Sequence, residues 1–240
     1  KVGVWKVESN MKPLNVISYA TEATVTHVAF GVPAAGAEGE SDSHVFYFAA
    51  KDNERSVIWS IDDRGRKNML YNVDGALHAL YYYARRDELV AVTVSANLVI
   101  HMKDDEGKWG LHMKSKLASG AGEGQASMQV CLAAGHYLVT ASERDSIVRI
   151  FDLDSEDNYI MAAGEEDRST TPPKISCLAW SNKSGILAAG TNDGMICLFK
   201  YVGDKDKDGI EDSDVHQEEA WEQMPMVAAG GERCDKLEWG

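Results

Sequence analysis

Short apolar segments rich in Val, Ile, Phe and Tyr recur along the chain and are separated by polar or glycine-containing turns. In each of four successive repeats, one such segment is followed by a second that is apolar almost throughout, a third, and a more polar fourth. No segment keeps a 3.6-residue period over the length of a helix. The pattern therefore predicts four β-strands per repeat. The first segments begin 51, 51, 47 and 59 residues apart, at Val25, Ala76, Ser127, Lys174 and Arg233.

Four strands at a period of about 40 to 50 residues are typical of a β-propeller. We predict an all-β, WD40-type propeller in which each sheet is covered by neighbouring blades, and a β-sandwich is the competing fold. The second segments should be buried on both faces, and the fourth should form an outer edge. The predicted complete blades cover Val25–Asp74, Ala76–Ala118, Ser127–Ala163 and Lys174–Ala228.

We expect these blades to form a single, partial propeller domain over residues 1–240. Half a blade precedes them in residues 1–20, and residues 233–240 are predicted to be the first strand of the next blade. An incomplete ring would expose the faces of its end blades. We therefore expect residues outside this chain to complete a larger, seven-bladed ring.

Two repeats carry features of the WD motif at matching positions. Asp145 and Asp193 lie in the predicted turns between second and third strands, and each precedes an aromatic residue, Phe151 or Phe199, by six positions. Asp152 completes the Trp-Asp-like pair with Phe151. We assign structural roles to all five, because turn carboxylates accept hydrogen bonds and the aromatic rings fill space between strands. The Gly-His pair common in such repeats is absent, so the motif is degenerate.

The composition of the chain argues against several classes of function. The net charge of -14 argues against a nucleic-acid partner and a polybasic membrane anchor, and the apolar runs are too short to span a bilayer. The four cysteines form no CxxC pair, which favours buried thiols in a reducing compartment. We find no HExxH helix and no nucleophile elbow, and we predict no cofactor and no enzymatic activity. A hydrolase or lyase with its site in a central channel is the weakest alternative.

The acidic run from Gly203 to Glu219 resembles a calcium loop, with Asp204, Asp206 and Asp208 at alternate positions. Position 12 of an EF-hand loop should be glutamate, but here it falls on Val215, and the flanking segments read as strands. Asp212 is a further candidate oxygen ligand. The run is predicted to be a long, solvated insert between the third and fourth strands of the fourth blade. Because the aspartates keep calcium binding open, the alternative function is a calcium-binding or calcium-regulated propeller of another trafficking complex.

The order of the segments resembles a known family, the 140-kilodalton-class core subunits of intraflagellar transport complex A, in their first WD propeller. The resemblance covers nearly all of Val25–Gly240. The stretches that carry it are "ALHALYYYARRDELVAVT", "VRIFDLDSEDNYIMA", "CLAWSNKSGILAAGTNDGMICLFKY" and "WEQMPMVAAGGERCDKLEWG".

This resemblance implies a non-catalytic scaffold that contacts other subunits of complex A, without binding nucleic acid or inserting into the membrane. It also implies a place on the cytoplasmic side of the cilium or flagellum and at the basal body. Members of the family take part in dynein-driven retrograde transport and in ciliary entry of membrane cargo through a tubby-like adaptor. The family has no catalytic residues to transfer.

Overall fold

The computed structural model describes residues 2–7, 13–19, 23–31, 45–62, 64–117, 128–163, 173–203, 220–231 and 233–239. These residues form β-strands with almost no helix, and no described helix is long and apolar enough to cross a membrane. The strands are β1 Val2–Val7, β2 Pro13–Tyr19, β3 Val25–Gly31, β4 Val45–Asp52, β5 Arg55–Ile61, β6 Lys67–Asp74, β7 Leu77–Tyr83, β8 Glu88–Thr93, β9 Asn97–Lys103, β10 Trp109–Lys116, β11 Met128–Ala133, β12 Tyr137–Ser142, β13 Ile147–Asp152, β14 Asn158–Ala162, β15 Ile175–Ser181, β16 Ile186–Thr191, β17 Met195–Tyr201 and β18 Trp221–Ala228.

Sixteen of these strands form four antiparallel sheets of four, and each sheet is a meander of consecutive strands. The first blade is β3–β6, the second β7–β10, the third β11–β14 and the fourth β15–β18. The strands β1 and β2 pair as a separate hairpin. The fold is therefore a WD40-type β-propeller with four four-stranded blades, as the repeat predicts.

The burial of each strand follows its position in the blade. Every residue of β8 and β12 is buried, and β4 and β16 are buried over most of their length. The outermost strands instead place most of their side chains at the surface. This confirms that the second segments are covered on both faces, which is why they lack the alternation of a half-buried strand.

Three of the four innermost strands carry a bulge at their second residue. The register skips Thr26 in β3, His78 in β7 and Ser176 in β15. By contrast, β11 pairs with β12 without interruption. A bulge leaves the extra residue outside the ladder, so its polar atoms are available to contacts beyond its own strand pair.

The chain divides into two compact units, Lys1–Lys116 and Leu117–Gly240. The core of the first contains Tyr47, Ile58, Leu80 and Leu89, from strands of both the first and second blades. The core of the second contains residues of the third and fourth blades, including Tyr137, Val139, Val148, Ile150, Ile175, Leu187, Phe199 and Trp221. In each unit, the apolar faces of two blades are buried against each other, which is how a propeller gains its stability.

Residues 233–239, predicted to begin a further blade, form no strand in the structure. The backbone N–H of Cys234 donates to the carbonyl of Thr191 at 3.0 Å. One such bond does not make a ladder, because a strand requires repeated pairing with a neighbouring chain segment. The assignment of this segment to the first strand of a further blade therefore stays a prediction.

A buried histidine ring and a partly buried tyrosine ring meet in the first unit. His101 on β9 stacks on Tyr71 of β6, with ring centroids 3.5 Å apart and ring planes 7° apart. Neither Tyr71 Oη nor His101 Nδ1 has a hydrogen-bond partner in the described part of the chain. Burial lowers the pKa of His101 to about 4, because the charged ring would lose its hydration. His101 is therefore neutral at pH 7.

We expect the free energy of unfolding to fall as the pH decreases from 6.5 towards 4. An unfolded His101 binds a proton near pH 6.5, whereas the folded one does so only near pH 4. Between these values the unfolded chain holds the extra proton, so stability rises with pH. Allowing for solvent screening, the loss on acidification should be about 2 kcal/mol.

Urea unfolding followed by circular dichroism at several pH values would measure this loss. A His101→Phe variant keeps a ring against Tyr71 but cannot be protonated, so its stability should change less between pH 6.5 and 4. If the variant and the parent chain lose stability in parallel, protonation of His101 is not the cause.

Candidate interaction surface

Asp145 lies in the turn between β12 and β13, where its carboxylate organises the local backbone. Its Oδ1 accepts a hydrogen bond from the Ile147 N–H at 3.1 Å, and its Oδ2 lies 2.5 Å from Arg149 Nη2. Burial alone would raise the pKa of this carboxyl. The hydrogen bonds from Arg149 and Ile147, with the Arg149 charge, outweigh burial and hold the pKa below its ordinary value.

Asp193 occupies the corresponding turn between β16 and β17. Its Oδ1 is hydrogen-bonded to the hydroxyl of Thr191, which also accepts the N–H of Met195 at 3.0 Å. Four residues on, where the third blade has Arg149, the fourth blade has Cys197. The two aspartates thus occupy equivalent turns with different partners.

The aromatic positions and Asp152 are buried. Phe151 is 5 % exposed, and Phe199 is 1 % exposed within the core of the second unit. Asp152 Oδ1 accepts the N–H of Asp154 at 2.8 Å, so this carboxylate orders the turn after β13. Phe151 and Asp152 end β13, Phe199 lies on β17, and Asp145 and Asp193 lie in turns of different blades.

One group in the described residues could hold a metal ion. Ligand atoms of His136, Asp152 and Asp154 lie within 4.8 Å of one another. Sequence reasoning missed it, because the residues come from two different turns, before β12 and after β13. His136 Nδ1 is 3.0 Å from the carbonyl of Ala134, and Asp152 already caps its turn. These bonds give both side chains structural roles.

The predicted calcium ligands Asp204, Asp206, Asp208 and Asp212 lie outside the described residues.

The outermost strands are candidate docking sites for partners. Within the described residues each of them pairs with one neighbouring strand, which leaves its other backbone edge unpaired there. Every one also carries an exposed aliphatic side chain: Met69 on β6, Leu111 on β10, Ile160 on β14 and Val227 on β18. Exposed fractions of 53 %, 58 %, 58 % and 49 % place these side chains in contact with solvent. We call this set of four strands the rim.

The rim strand β10 differs from its surroundings in charge. Exposed Lys114 and Lys116 follow Leu111 on this strand, in a chain of net charge -14. A register shift between Leu111 and Met113 marks a bulge in the pairing of β10 with β9. Lysines and a bulge on an edge strand hinder indiscriminate pairing with other chains, so β10 is protected against non-specific association.

Comparison with known proteins shows the family of this chain and supports the propeller fold. A family model described as the IFT140 first beta-propeller matches residues 9–240. A crystal structure of a protein from Lactobacillus plantarum is similar with a TM-score of 0.56 and 13 % identity, covering 93 % of this chain and 62 % of that one. A crystal structure of the mitotic checkpoint complex contains a chain similar with a TM-score of 0.54 and 12 % identity, covering 97 % and 60 %. This chain thus spans less than two thirds of either matched chain, and these likenesses concern the fold alone.

Proposed function

The chain belongs to the family of the IFT140 first β-propeller, and from this premise we propose that it is a non-catalytic scaffold of intraflagellar transport complex A. Family membership implies complex A and an association with the cilium. In the proposed role, the propeller holds other complex A subunits in dynein-driven trains that move from tip to base. It also supports ciliary entry of membrane cargo through a tubby-like adaptor, on the cytoplasmic side and at the basal body.

The observation that carries the proposal is the rim. Each of its four strands has one backbone edge that pairs with no other described strand, and each exposes one of the aliphatic side chains Met69, Leu111, Ile160 and Val227. A partner segment can pair with such an edge through backbone hydrogen bonds and cover the aliphatic group, which removes apolar surface from water. The buried strands beneath hold each edge in place, so each blade can present its own edge to a partner.

The roles of the WD-type residues support a non-catalytic function. The WD-type residues support folding, since Asp145 and Asp152 accept backbone N–H groups in turns and Phe199 fills the core. Propellers of this family and the WD40 fold are typically scaffolds. We therefore propose that the chain is not an enzyme and works by binding proteins.

The test introduces a carboxylate at each rim position in turn, with Met69→Asp, Leu111→Asp, Ile160→Asp and Val227→Asp. Each variant is co-purified with the other complex A subunits. A charge buried without a partner is unfavourable, so we expect at least one variant to lose about tenfold or more in affinity. Its circular dichroism spectrum should be unchanged, because these side chains are exposed.

Lys183→Glu is the control, since Lys183 is an exposed residue of the turn between β15 and β16. It changes the net charge by two units in the same direction and should leave assembly intact. If all four rim variants assemble like the parent chain, the rim is not the docking surface. If the unaltered protein never co-purifies with complex A subunits, the scaffold role itself is wrong.

A further inference from the structure

Two of the four cysteines face each other in the second unit. Cys177, on β15, and Cys234, in the segment 233–239, place their Sγ atoms 3.7 Å apart. The Cys177 thiol also lies 3.1 Å from the carbonyl oxygen of Cys234. Cys177 is buried, whereas Cys234 is partly exposed. Since a disulfide has an S–S length of about 2 Å, the sulfurs need to approach by only about 1.7 Å to bond.

The backbone around Cys234 holds the two thiols together. Its N–H donates to the carbonyl of Thr191 at 3.0 Å, and its carbonyl accepts the hydroxyl of Ser176 at 2.5 Å. Ser176 is the residue that the register of β15 skips, so the bulge supplies this hydroxyl. With both backbone groups of Cys234 bonded to the fourth blade, the sulfurs remain adjacent without a covalent link.

A glycine provides the space in which the sulfurs meet. A Cβ atom on Gly190 of β16 would lie 2.6 Å from Cys177 Sγ and 2.7 Å from Cys234 Sγ. Such distances are well inside van der Waals contact, so any side chain at this position would displace one sulfur. Gly190 therefore forms the floor of a small site that both thiols share.

We propose that Cys177 and Cys234 are an oxidisable thiol pair, a modification site at which hydrogen peroxide forms a disulfide that fastens residues 233–239 to the fourth blade. Arg233 also forms an ion pair with Glu143, just after β12 of the third blade, and one with Asp235 inside the segment itself. Ion pairs at exposed positions contribute little to stability. The disulfide would therefore become the strongest tie between this segment and the blade.

The partly exposed Cys234 is the thiol that peroxide reaches first. Its thiolate attacks one peroxide oxygen, the O–O bond breaks, and hydroxide leaves to take up a proton as water. The Cys177 sulfur then attacks the resulting Cys234 sulfenic acid, forming the S–S bond while a second water leaves with the Cys177 proton. In total, two thiols lose two electrons to one peroxide, giving one disulfide and two waters.

The order of attack follows from the surroundings of Cys177. Burial and the neighbouring Cys234 sulfur raise the pKa of the Cys177 thiol above its ordinary value. A buried thiol that keeps its proton is a poor first nucleophile, because the thiolate is the reactive form. As the resolving partner, it needs only the adjacent sulfenic acid, which the geometry provides.

The test exposes the purified, fully reduced protein to a small excess of hydrogen peroxide, alkylates the remaining thiols and maps the peptides by mass spectrometry. We expect one linked peptide joining Cys177 to Cys234, with loss of two alkylatable thiols and recovery of both after reduction by thioredoxin. Cys131 and Cys197 should stay reduced and be alkylated once the protein is unfolded, since Cys197 is fully buried and burial raises the pKa of the Cys131 thiol to about 12. Linkage through Cys131 or Cys197 instead, or accumulation of sulfinic acid on Cys234 without linkage, would overturn the proposal.

A second measurement tests the fastening. Trypsin cleavage after Lys236 should slow by about tenfold or more on oxidation, because the tethered segment opens less often, and should recover on reduction. Cys234→Ser, which removes one sulfur and keeps a similar volume, should abolish both the linked peptide and the change in cleavage. An unchanged cleavage rate in the linked protein would show that the segment is not fastened.

Discussion

Replacing Trp221 by alanine is expected to lower the free energy of unfolding by about 3 to 5 kcal/mol. Trp221 begins the outermost strand of the fourth blade but is only 7 % exposed. Its ring lies 5.3 Å from that of Tyr201 and 5.6 Å from that of Tyr137. Its indole N–H donates to the hydroxyl of Tyr159 at 2.9 Å, so it joins the outer strands of two blades. Truncation leaves a cavity and removes the indole donor that bonds to the Tyr159 hydroxyl.

Urea unfolding followed by far-ultraviolet circular dichroism measures this loss without depending on tryptophan fluorescence. Trp239→Ala is the matched control, because Trp239 is 41 % exposed and should change stability by no more than about 0.5 kcal/mol. Trp221→Phe keeps most of the apolar contact and loses the N–H, so it should fall between the two. Equal stability of Trp221→Ala and Trp239→Ala would mean that the aromatic cluster does not hold the blades together.

Leu89→Ala should cost about 2 to 5 kcal/mol, the second large effect, in the first unit. Leu89 lies on β8, is fully buried and packs in the core shared by the first and second blades. Strands buried on both faces cannot relax towards solvent when a side chain is shortened, so most of the cavity should remain. The chevron of folding and unfolding rates, or the urea midpoint, would report the loss.

Leu111→Ala removes the same atoms from the same blade, yet Leu111 is 58 % exposed on the rim strand β10. Its effect on stability should be within about 0.5 kcal/mol. This pair separates folding from docking, because Leu111→Ala retains the fold while shortening a proposed contact. A similar loss of stability in both variants would contradict the assignment of β8 to the core and β10 to the rim.

The sequence predicts the blades well because strand position sets the environment of each segment. The second strand of each blade must be apolar on both faces, as in β8 and β12, and the fourth faces solvent. Each of the four blades follows this constraint. The spacing of the repeats and the order of hydrophobicity within each repeat therefore predict the same strands. The turn positions of Asp145 and Asp193 followed from the same repeat.

Contacts between repeats were not predictable in the same way. The bond from Trp221 to Tyr159 spans 62 residues, and the thiol pair spans 57. Neither repeats in the other blades, so no periodicity signals it. The segment 233–239 has the apolar pattern of an innermost strand, and no strand of the described residues pairs with it. The residue types of a segment indicate whether it is buried, whereas its strand pairing depends on which other segment lies beside it in the fold.

The meander order of the sheets has a consequence for synthesis on the ribosome. Every ladder joins strands that are neighbours in sequence, so no sheet waits for a distant segment to be translated. Each blade can pair its strands as they emerge, and the next blade then supplies the apolar cover. In the fourth blade the last strand pairing is delayed, because β18 is synthesised only after residues 202–220, which follow β17. Closing a longer loop costs more chain entropy, so we expect this outer strand to be the last of its blade to pair during translation.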